Sequence, residues 1–378
     1  MRTLDDLGDV RGQRVLVRVD FNVPLSGGQI QDDTRIRAAL PTLERLREGG
    51  ARLVLASHLG RPRDREPELS LRPAAERLGE LLGTDVALAD DLDAVPDRDV
   101  VMLENVRYEP GETKDDSELG RRYAALADAY VNDAFGTAHR AHASTHAVAE
   151  LVERRAAGLL LQREVEILTG LLTQPARPLV AVLGGAKVTD KIGVIDRFLE
   201  LADHVLIGGA MAFPFLRAQG HATGGSRLDE EDVGPARHAL DQAPDKLVLP
   251  TDLVLGDRFA ADAQRRELDG VDVPEGWMGL DVGPRTVERF AAAIAGAQTV
   301  FWNGPMGAFE LEPFATGTHA VACAVADCPG TTVVGGGDSV AAIVEFGLAD
   351  RVTHVSTGGG ASLELVEGRA LPGVEVLR

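Results

Sequence analysis

The chain has 378 residues, 44% of them hydrophobic, and carries a formal net charge of −20 at pH 7. This length favours two domains over a single hydrophobic core. The excess of negative charge argues against nucleic acid or an anionic membrane as a partner. The sequence shows neither an apolar signal segment nor an apolar run of membrane-spanning length, so we expect a cytoplasmic protein.

Short runs of β-branched and aliphatic residues alternate with helical patterns along the chain, as in parallel βαβ units. We therefore predict an α/β fold with two Rossmann-like lobes, each a parallel sheet flanked by helices. Ligands of such sheets bind at the carboxyl ends of the strands. The residues that follow each strand are accordingly the first candidates for a functional site.

In the first half, four predicted strands end in arginine or histidine. The candidates at these ends, and at the start of the first long helix, are Asp20, Phe21, Asn22, Arg35, His58, Leu59, Gly60, Arg61, Arg107 and Arg140. Taken singly, each arginine is typical of the surface of an arginine-rich chain. Their regular placement, which Arg18 shares, predicts a pocket for a small, highly anionic molecule.

Three histidines, His139, His142 and His146, lie within eight residues of one another. A zinc site is the alternative interpretation of such spacing. It is disfavoured, because no cysteine or carboxylate motif accompanies the histidines and Arg140 lies among them.

The boundary between the halves is expected between Arg155 and Gln174. Apolar residues there follow a helical period without the composition of a loop. A stiff helix that joins two lobes fits hinge closure better than a flexible linker does.

In the second half, the predicted strand ends share glycine. The five loops contain Gly184-Gly185, Gly208-Gly209, Asn303-Gly304-Pro305, Gly335-Gly336-Gly337-Asp338-Ser339 and Gly358-Gly359-Gly360-Ala361-Ser362. One such loop would be an ordinary connector. Five of them predict a surface of backbone donors for a nucleotide or phosphate, although neither familiar glycine motif is present.

Two of the only four lysines, Lys187 and Lys191, lie in one turn after the strand that ends at Leu183. A positive charge at a helix start opposes the helix dipole unless an anion binds between them, so we predict a phosphate contact. Asp338 fits either a helix cap or a Mg²⁺ ligand. The acidic run 229–232 is interpreted as a solvated helix start.

Together these segments resemble the phosphoglycerate kinase family, in the family's order and over essentially the full length. The segments that carry the resemblance are 17–24, 58–62, 103–107, 132–142, 183–191, 208–213, 279–284, 302–305 with 309–310, 335–339 and 358–371.

The resemblance implies a phosphoglycerate-binding lobe (1–165), a Mg-nucleotide-binding lobe (166–363) and a C-terminal segment (364–378) that returns to the first lobe. It implies that the candidates of the first half bind 3-phosphoglycerate or 1,3-bisphosphoglycerate. The residues implied to bind ADP or ATP are Lys191, Gly208, Gly209, Gly279, Asn303, Glu310, Gly336, Gly337, Asp338 and Ser339. Glu310 would meet the ribose and Asp338 the Mg²⁺, and we expect a monomer.

The implied reaction moves a phosphoryl group between 1,3-bisphosphoglycerate and ADP. Its nucleophile is already anionic, so positioning and charge neutralisation suffice without a general base. Arg35, Lys187, Gly359 and Gly360 would act on the transferring group, and lobe closure would exclude water. A non-catalytic anion receptor and an enzyme that has lost its activity remain as alternatives.

Overall fold

Parallel sheets flanked by helices build each of the two units of the chain. The computed structural model describes residues 1–378. The first unit comprises Met1–Glu166 and Arg369–Arg378, and the second comprises Ile167–Gly368. The predicted α/β class with a parallel sheet in each half is confirmed.

The first unit has a six-stranded parallel sheet in the order β5-β6-β4-β1-β7-β8, with the hairpin β2-β3 beside it. Its strands are β1 (Arg14–Arg18), β2 (Leu25–Ser26), β3 (Gln29–Ile30), β4 (Arg52–Ala56), β5 (Ala87–Ala89), β6 (Val100–Leu103), β7 (Ala129–Asn132) and β8 (Arg155–Ala157). Arg18 ends the central strand, in register with Ala56 on one side and Asn132 on the other. The strand ends of β6, β4, β1 and β7 are therefore neighbours.

Amphipathic helices cover this sheet. They are α1 (Thr34–Glu48), α2 (Arg72–Leu82), α3 (Ser117–Ala124) and α4 (Val148–Leu151). In α2, Ala74, Ala75 and Leu78 are buried at helical spacing, and the left-handed Gly83 ends the helix. Helix α1 continues past Pro41.

Helix α5 (Leu159–Thr173) occupies the stretch where a connecting helix was predicted. Three side-chain contacts fix its start. Oδ1 of Asp133, just after β7, accepts the N–H groups of Leu160 at 2.9 Å and Leu161 at 3.2 Å. Oγ1 of Thr42 accepts the N–H of Leu159 at 2.8 Å. These acceptors satisfy N–H groups that have no partner within the helix.

The second unit has a parallel sheet in the order β11-β10-β9-β15-β16-β17. Its strands are β9 (Leu179–Leu183), β10 (His204–Ile207), β11 (Leu247–Val248), β15 (Thr299–Asn303), β16 (Thr331–Val334) and β17 (His354–Val355). A separate antiparallel sheet, β13-β12-β14, was not predicted. It consists of β12 (Leu253–Gly256), β13 (Arg265–Leu268) and β14 (Met278–Val282).

Helices connect the strands of this second sheet. They are α6 (Ile192–Leu201), α7 (Ala212–Ala218), α8 (Val233–Gln242), α9 (Pro284–Ala295), α10 (Thr316–Asp327), α11 (Gly337–Glu345) and α12 (Gly360–Val366). Trp302 is fully buried in the core, and its indole N–H donates to the carbonyl of Gly304 at 2.8 Å. That bond holds the loop after β15 against the core.

The last ten residues, which contain α13 (Pro372–Glu375), belong to the first unit. Nδ2 of Asn132 donates to the carbonyl of Gly373 at 3.1 Å, and Arg2 N–H donates to the carbonyl of Leu377 at 2.8 Å. None of the helices combines the length and apolar character that crossing a membrane requires.

Candidate active site

The predicted anion-binding residues of the first unit lie at the carboxyl ends of neighbouring strands. Asp20 follows β1, Arg61 follows β4, Arg107 follows β6 and Arg140 follows β7. The three arginines line one cavity of about 670 Å³. Arg63 also lines this cavity, so four arginines outnumber the two carboxylates of Asp64 and Glu109 there. In a chain of net charge −20, this local excess of cations provides a site for an anion.

The other candidates of the first unit do not line this arginine cavity; they include Asp20, Asn22, Arg35, His58 and Gly60. Nη1 of Arg35, in the first turn of α1, donates to Oδ2 of Asp20 at 2.6 Å. Burial raises the pKa of Asp20, but electrostatic interactions with His58, Arg35 and Arg18 outweigh it, so the pKa lies below its ordinary value. Asp20 is therefore anionic at neutral pH and can only accept hydrogen bonds. A ligand that contacts Asp20 must therefore supply a hydrogen-bond donor.

Internal hydrogen bonds hold the loops after β1 and β4. The side-chain oxygen of Asn22 accepts the N–H of Gly60 at 2.9 Å. The N–H of Phe21 donates to Oγ of Ser57 at 2.9 Å, and that of Leu59 to Oδ1 of Asn105 at 3.2 Å. Phe21 and Leu59 are buried and do not line the arginine cavity. These two residues therefore shape the loops.

His58 and Arg18 are both buried, with exposed fractions of 4% and 1%. Arg18 does not line the arginine cavity, in contrast to the sequence-based expectation, because it belongs to the core side of β1. Its Nη2 lies 3.2 Å from Nδ1 of His58. Burial lowers the pKa of His58 well below its ordinary value; Asp20 opposes this shift, and Arg18 and other arginines add to it. His58 is therefore neutral at pH 7.

Arg107, one of the arginines that line this cavity, has a hydrogen-bond donor without a partner. Its Nη1 donates to the carbonyl of Gly60, but its buried Nε has no partner. Burial lowers its pKa to about 10, and the charges of Arg140 and Arg18 contribute further. Arg107 is still charged at neutral pH. An anion in the cavity would reduce the repulsion between the arginines and would accept a hydrogen bond from Nε of Arg107.

The three closely spaced histidines do not form a metal site. Nδ1 of His146 lies 2.8 Å from Oδ2 of Asp115, while Nε2 of His139 accepts from Nε of Arg140 at 3.0 Å. No group of three or more His, Cys, Asp or Glu side chains is arranged to hold a metal ion. The geometry thus gives no support to the zinc alternative.

The second unit contains another cavity of about 670 Å³, formed by loops that follow β9, β10, β12, β15 and β16 together with strand β14. Its lining combines glycine backbone, including Gly185 and Gly209, with a group of apolar side chains. The apolar group consists of Phe213, Leu253, Phe259, Met278, Leu280, Val282, Met306 and Phe309. An apolar wall beside exposed backbone donors suits a flat, phosphorylated ligand.

Close packing between loops requires glycine at two of the predicted positions. A Cβ on Gly184 would lie 2.1 Å from the carbonyl oxygen of Pro305. Gly336 has φ +89, and a Cβ there would lie 2.4 Å from Nδ2 of Asn303. These glycines therefore allow the loops after β9, β15 and β16 to meet.

Lys191 does not line this cavity, but it hydrogen-bonds the backbone of two of the loops that form it. Its Nζ donates to the carbonyls of Gly184 at 2.7 Å and Asn303 at 3.3 Å. Burial lowers its pKa to about 8, against the opposing charges of Asp338 and Asp190. One ammonium hydrogen is left for a further acceptor.

Lys187 lies in a different environment. Its Nζ is 3.1 Å from Oδ2 of Asp229, and the two side chains are 36% and 42% exposed. Asp232 is buried and accepts the N–H groups of Val188 at 3.1 Å and Thr189 at 2.8 Å. Segment 229–232 does start a helix, as interpreted from the sequence, and Glu230 and Glu231 are exposed. It is not solvated throughout, because Asp229 and Asp232 bind the lysine loop.

The profile of the phosphoglycerate kinase family matches residues 4–369. The chain belongs to the phosphoglycerate kinase family. It is 53% identical to the phosphoglycerate kinase of Rubrobacter xylanophilus, over 100% of this chain and 98% of that protein. It is 49% identical to the cytosolic phosphoglycerate kinase of Nicotiana tabacum, over 98% of this chain and 96% of the relative.

A solved structure agrees with this membership. The phosphoglycerate kinase of Coxiella burnetii superimposes with a TM-score of 0.91 at 41% identity, covering 98% of this chain and 97% of that one. The two-lobe α/β architecture is thus that of a phosphoglycerate kinase.

Of the nucleotide-binding residues that the family implies, four line the cavity of the second unit: Gly209, Gly279, Glu310 and Asp338. The others do not line it. They are Lys191, Gly208, Asn303, Gly336, Gly337 and Ser339. Several of these support the lining: Nδ2 of Asn303 donates to the carbonyl of Gly335 at 2.8 Å, and Oγ of Ser339 accepts the N–H of Gly304 at 2.9 Å.

Asp338 has the chemistry of a ligand for a nucleotide-bound Mg²⁺. It is exposed in the first turn of α11, lines the cavity, and has neither a hydrogen bond nor an ion pair with the protein. Mg²⁺ bound to a nucleotide takes one or two carboxylates, with phosphates and water as its other ligands. A single unpaired carboxylate meets that need.

Gly359 and Gly360 lie outside this cavity lining. Gly359 has φ +49, with no atom within 4 Å of a Cβ position, and Gly360 begins α12. Their predicted role in the transfer step remains a prediction.

Sequence reasoning missed much of the apolar wall of the second cavity, and it missed the buried residues Glu112 and Ser144 of the first unit. Phe259 is 59% exposed although the chain is only 4% aromatic. Its exposure is known only from the structure, so the rarity of aromatic residues in the chain was the one sequence signal for Phe259. Glu112 and Ser144, both 1% exposed, gave no such signal.

Proposed function

We propose that the chain catalyses the glycolytic reaction of its family, the reversible transfer of a phosphoryl group from 1,3-bisphosphoglycerate to ADP to give 3-phosphoglycerate and ATP. The chain is a kinase, a phosphotransferase whose acceptor is a carboxyl group. The observation that carries the substrate assignment is the cavity lined by Arg61, Arg107 and Arg140. In it, a buried guanidinium nitrogen of Arg107 has no partner.

Phosphoglycerate fits the chemistry of the first site. Its phosphate and carboxylate suit the guanidinium groups, which bind such groups with two parallel hydrogen bonds. Its hydroxyl is the donor that the anionic Asp20 needs. We assign the binding of this substrate to the loop backbone 20–22 and 58–60 and to the following side chains: Asp20, Asn22, Arg35, His58, Arg61, Arg107 and Arg140.

The nucleotide is assigned to the cavity of the second unit. The apolar wall around Phe213 and Phe309 supplies a surface for a base. The exposed carboxylate of Glu310 can accept hydrogen bonds from ribose hydroxyls, and Lys191 has an ammonium hydrogen left for a phosphate. Asp338 would hold Mg²⁺, which when bound neutralises charge on the nucleotide phosphates.

The transfer step needs charge neutralisation more than proton transfer. The attacking oxygen is already anionic in either direction, so no base is required. We assign Arg35, Lys187 and the backbone N–H groups of Gly359 and Gly360 to the transferring group. The ion pair between Lys187 and Asp229 is exposed at both ends, and such pairs are weak enough to exchange for a phosphate.

An assay of ATP formation from 1,3-bisphosphoglycerate and ADP tests the reaction. The wild-type chain should form ATP, whereas Lys187→Ala and Arg35→Ala should each lower kcat by roughly 100-fold or more, with smaller changes in KM. No ATP formation by the wild type would rule out the proposed activity in favour of an anion receptor or an inactive relative.

Asp229→Asn is the matched control for Lys187→Ala. It removes the partner in the ion pair but leaves the lysine, so kcat should stay within a few-fold of the wild-type value. If both variants lost activity equally, the ion pair would be what matters, and the assignment of Lys187 to the transferring group would be withdrawn.

We further propose that the chain acts as a monomer in the cytoplasm, with no nucleic-acid or membrane partner. The net charge of −20 supports the exclusion of both polyanionic partners.

A further inference from the structure

A chain of buried hydrogen bonds leads from Glu112 to His58. Oε1 of Glu112 accepts from Oγ of Ser144 at 2.5 Å, and Oε2 accepts the Ser144 N–H at 3.1 Å. Nε of Arg18 lies 2.8 Å from the same Oγ, and Nη2 of Arg18 lies 3.2 Å from Nδ1 of His58. Glu112, Ser144 and Arg18 are each 1% exposed. We call these three residues the buried relay.

The chemistry of the groups sets the direction of every bond in the buried relay. A guanidinium has only donors, so Ser144 Oγ accepts from Arg18. The single hydroxyl hydrogen of Ser144 is then left to donate to Glu112. At the other end Arg18 must again donate, so Nδ1 of His58 is an acceptor.

Because His58 is neutral and Nδ1 accepts, its ring hydrogen is on Nε2. Nε2 has no hydrogen-bond partner within the protein, and it is not among the fully enclosed unpaired atoms. It therefore keeps contact with solvent. This nitrogen is free to donate to a ligand.

Glu112 is the acidic group at the end of the buried relay opposite His58, and it reaches Arg18 through Ser144. Burial raises the pKa of Glu112, while Arg18, the two bonds from Ser144 and Arg107 oppose the rise. The other titratable groups close to Glu112 are His142, whose Nδ1 is 3.9 Å from Oε1, Tyr123 and Tyr130. Burial and nearby arginines lower the pKa of His142 to about 4, so His142 is not a competing cation at neutral pH.

We propose that the buried relay is a positioning device, which holds His58 in the neutral form with hydrogen on Nε2 so that His58 donates a hydrogen bond to bound phosphoglycerate. This inference deepens the proposed function and rests on it for the identity of the ligand. Glu112 and Ser144 are positioning residues, since they act on the substrate only through Arg18 and His58.

Nitrogen-15 NMR of the imidazoles of the full chain, without substrate, tests the tautomer directly. His58→Gln identifies the His58 signals among the nine histidines. The wild type should show hydrogen on Nε2 alone at pH 7. A protonated ring, or hydrogen on Nδ1, would overturn the proposal.

Ser144→Ala breaks the buried relay at one hydroxyl. Without that hydroxyl the Glu112 carboxylate attracts the guanidinium directly and draws Nη2 away from Nδ1. We expect a mixture of tautomers at His58 and a KM for 3-phosphoglycerate raised roughly 5-fold to 10-fold, with kcat and the KM for ATP within about 2-fold of wild type. Ser144→Thr, which keeps the hydroxyl, should restore both the tautomer and the KM.

Tyr123→Phe is the matched control, because its hydroxyl is equally buried near Glu112 but has no partner. It should change neither the tautomer nor the KM. If Ser144→Ala fails to fold, Glu112→Gln takes its place. Both oxygens of Glu112 accept hydrogen bonds from Ser144, whereas glutamine has only one oxygen and can accept only one of these bonds well. An unchanged tautomer in whichever variant folds would overturn the proposal.

The two levels of inference fail separately. The expected tautomers in a chain that forms no ATP would support the buried relay and remove the proposed reaction. Normal ATP formation with an unchanged tautomer in Ser144→Ala would support the proposed reaction and overturn the role of the buried relay.

Discussion

Lys187 and Lys191, four positions apart, have ammonium groups in opposite environments. Lys187 is exposed, and its hydrogen bond and charge interaction with Asp229 raise its pKa. Lys191 is part-buried on the carbonyls of Gly184 and Asn303, and burial lowers its pKa to about 8. Only the second lysine can change its charge near physiological pH.

Nucleotide affinity should therefore fall as the pH rises through about 8. Lys191 is charged below this pKa and becomes neutral above it, whereas a bound phosphate favours the charged form. We expect the Kd for MgADP, measured by calorimetry between pH 7 and pH 9.5, to rise by up to about 10-fold per pH unit above 8.

Lys191→Met should bind MgADP more weakly at pH 7, and its Kd should not depend on pH in this range. Lys187→Ala should keep the pH dependence of the wild type, because Lys187 has a raised pKa and does not titrate there. Parallel pH profiles for wild type and Lys191→Met would contradict the assigned phosphate contact.

Helix α5 depends on residues from distant parts of the chain. Its first turn is capped by Asp133 and Thr42. A Cβ on Gly158 would lie 2.1 Å from Oδ1 of Asp133, so glycine is needed where the chain passes this carboxylate. Burial raises the pKa of Asp133 to about 6, against hydrogen bonds from Thr42, Leu161 and Leu160.

This raised pKa predicts how stability depends on pH. Between pH 4 and 6 the unfolded chain releases the Asp133 proton while the folded chain keeps it, so the contribution of Asp133 to stability falls as the pH rises. The loss is on the order of 3 kcal/mol, at about 1.4 kcal/mol per pKa unit.

Asp133→Asn keeps an oxygen acceptor for α5 but does not titrate. Urea unfolding at pH 4.5 and 6.5 should therefore show a smaller decrease in the free energy of unfolding for Asp133→Asn than for the wild type. Asp116→Asn, at the exposed start of α3, is the control for the loss of an N-cap carboxylate. An equal decrease in all three proteins would mean that Asp133 does not titrate in this range.

At the scale of the whole molecule, the arginine cavity opposes the net charge of −20. Salt screens both the general repulsion of an anionic substrate and its local attraction to the arginines. The two effects have opposite signs. The response of the KM to salt therefore shows which one dominates.

We expect the local arginines to dominate, because the proposed binding of the substrate in this cavity puts them in direct contact with it. The KM for 3-phosphoglycerate should rise roughly 3-fold or more between 50 and 300 mM NaCl. The KM for ATP should rise less, because the cavity to which we assign the nucleotide is largely apolar. A KM for 3-phosphoglycerate that falls with salt would show that the net charge governs binding.

The sequence by itself determined the α/β class and the edge of each sheet where the candidates lie. A parallel βαβ pattern forces the carboxyl ends of the strands onto one edge, so Asp20, Arg61, Arg107 and Arg140 could be grouped before any contact was known. The family-specific segments extended the same reasoning to Gly279, Glu310 and Asp338, which line the second cavity.

Only the tertiary structure decided which side chains face a cavity and which support it. Arg18 shares the strand-end pattern of the other arginines, yet it is buried on Ser144, 126 residues away in sequence. Lys187 pairs with Asp229 across a long stretch of chain, and the antiparallel sheet β13-β12-β14 breaks the parallel pattern. Periodicity and composition report on neighbours in sequence, whereas burial and ion pairing depend on groups that meet only when the chain has folded.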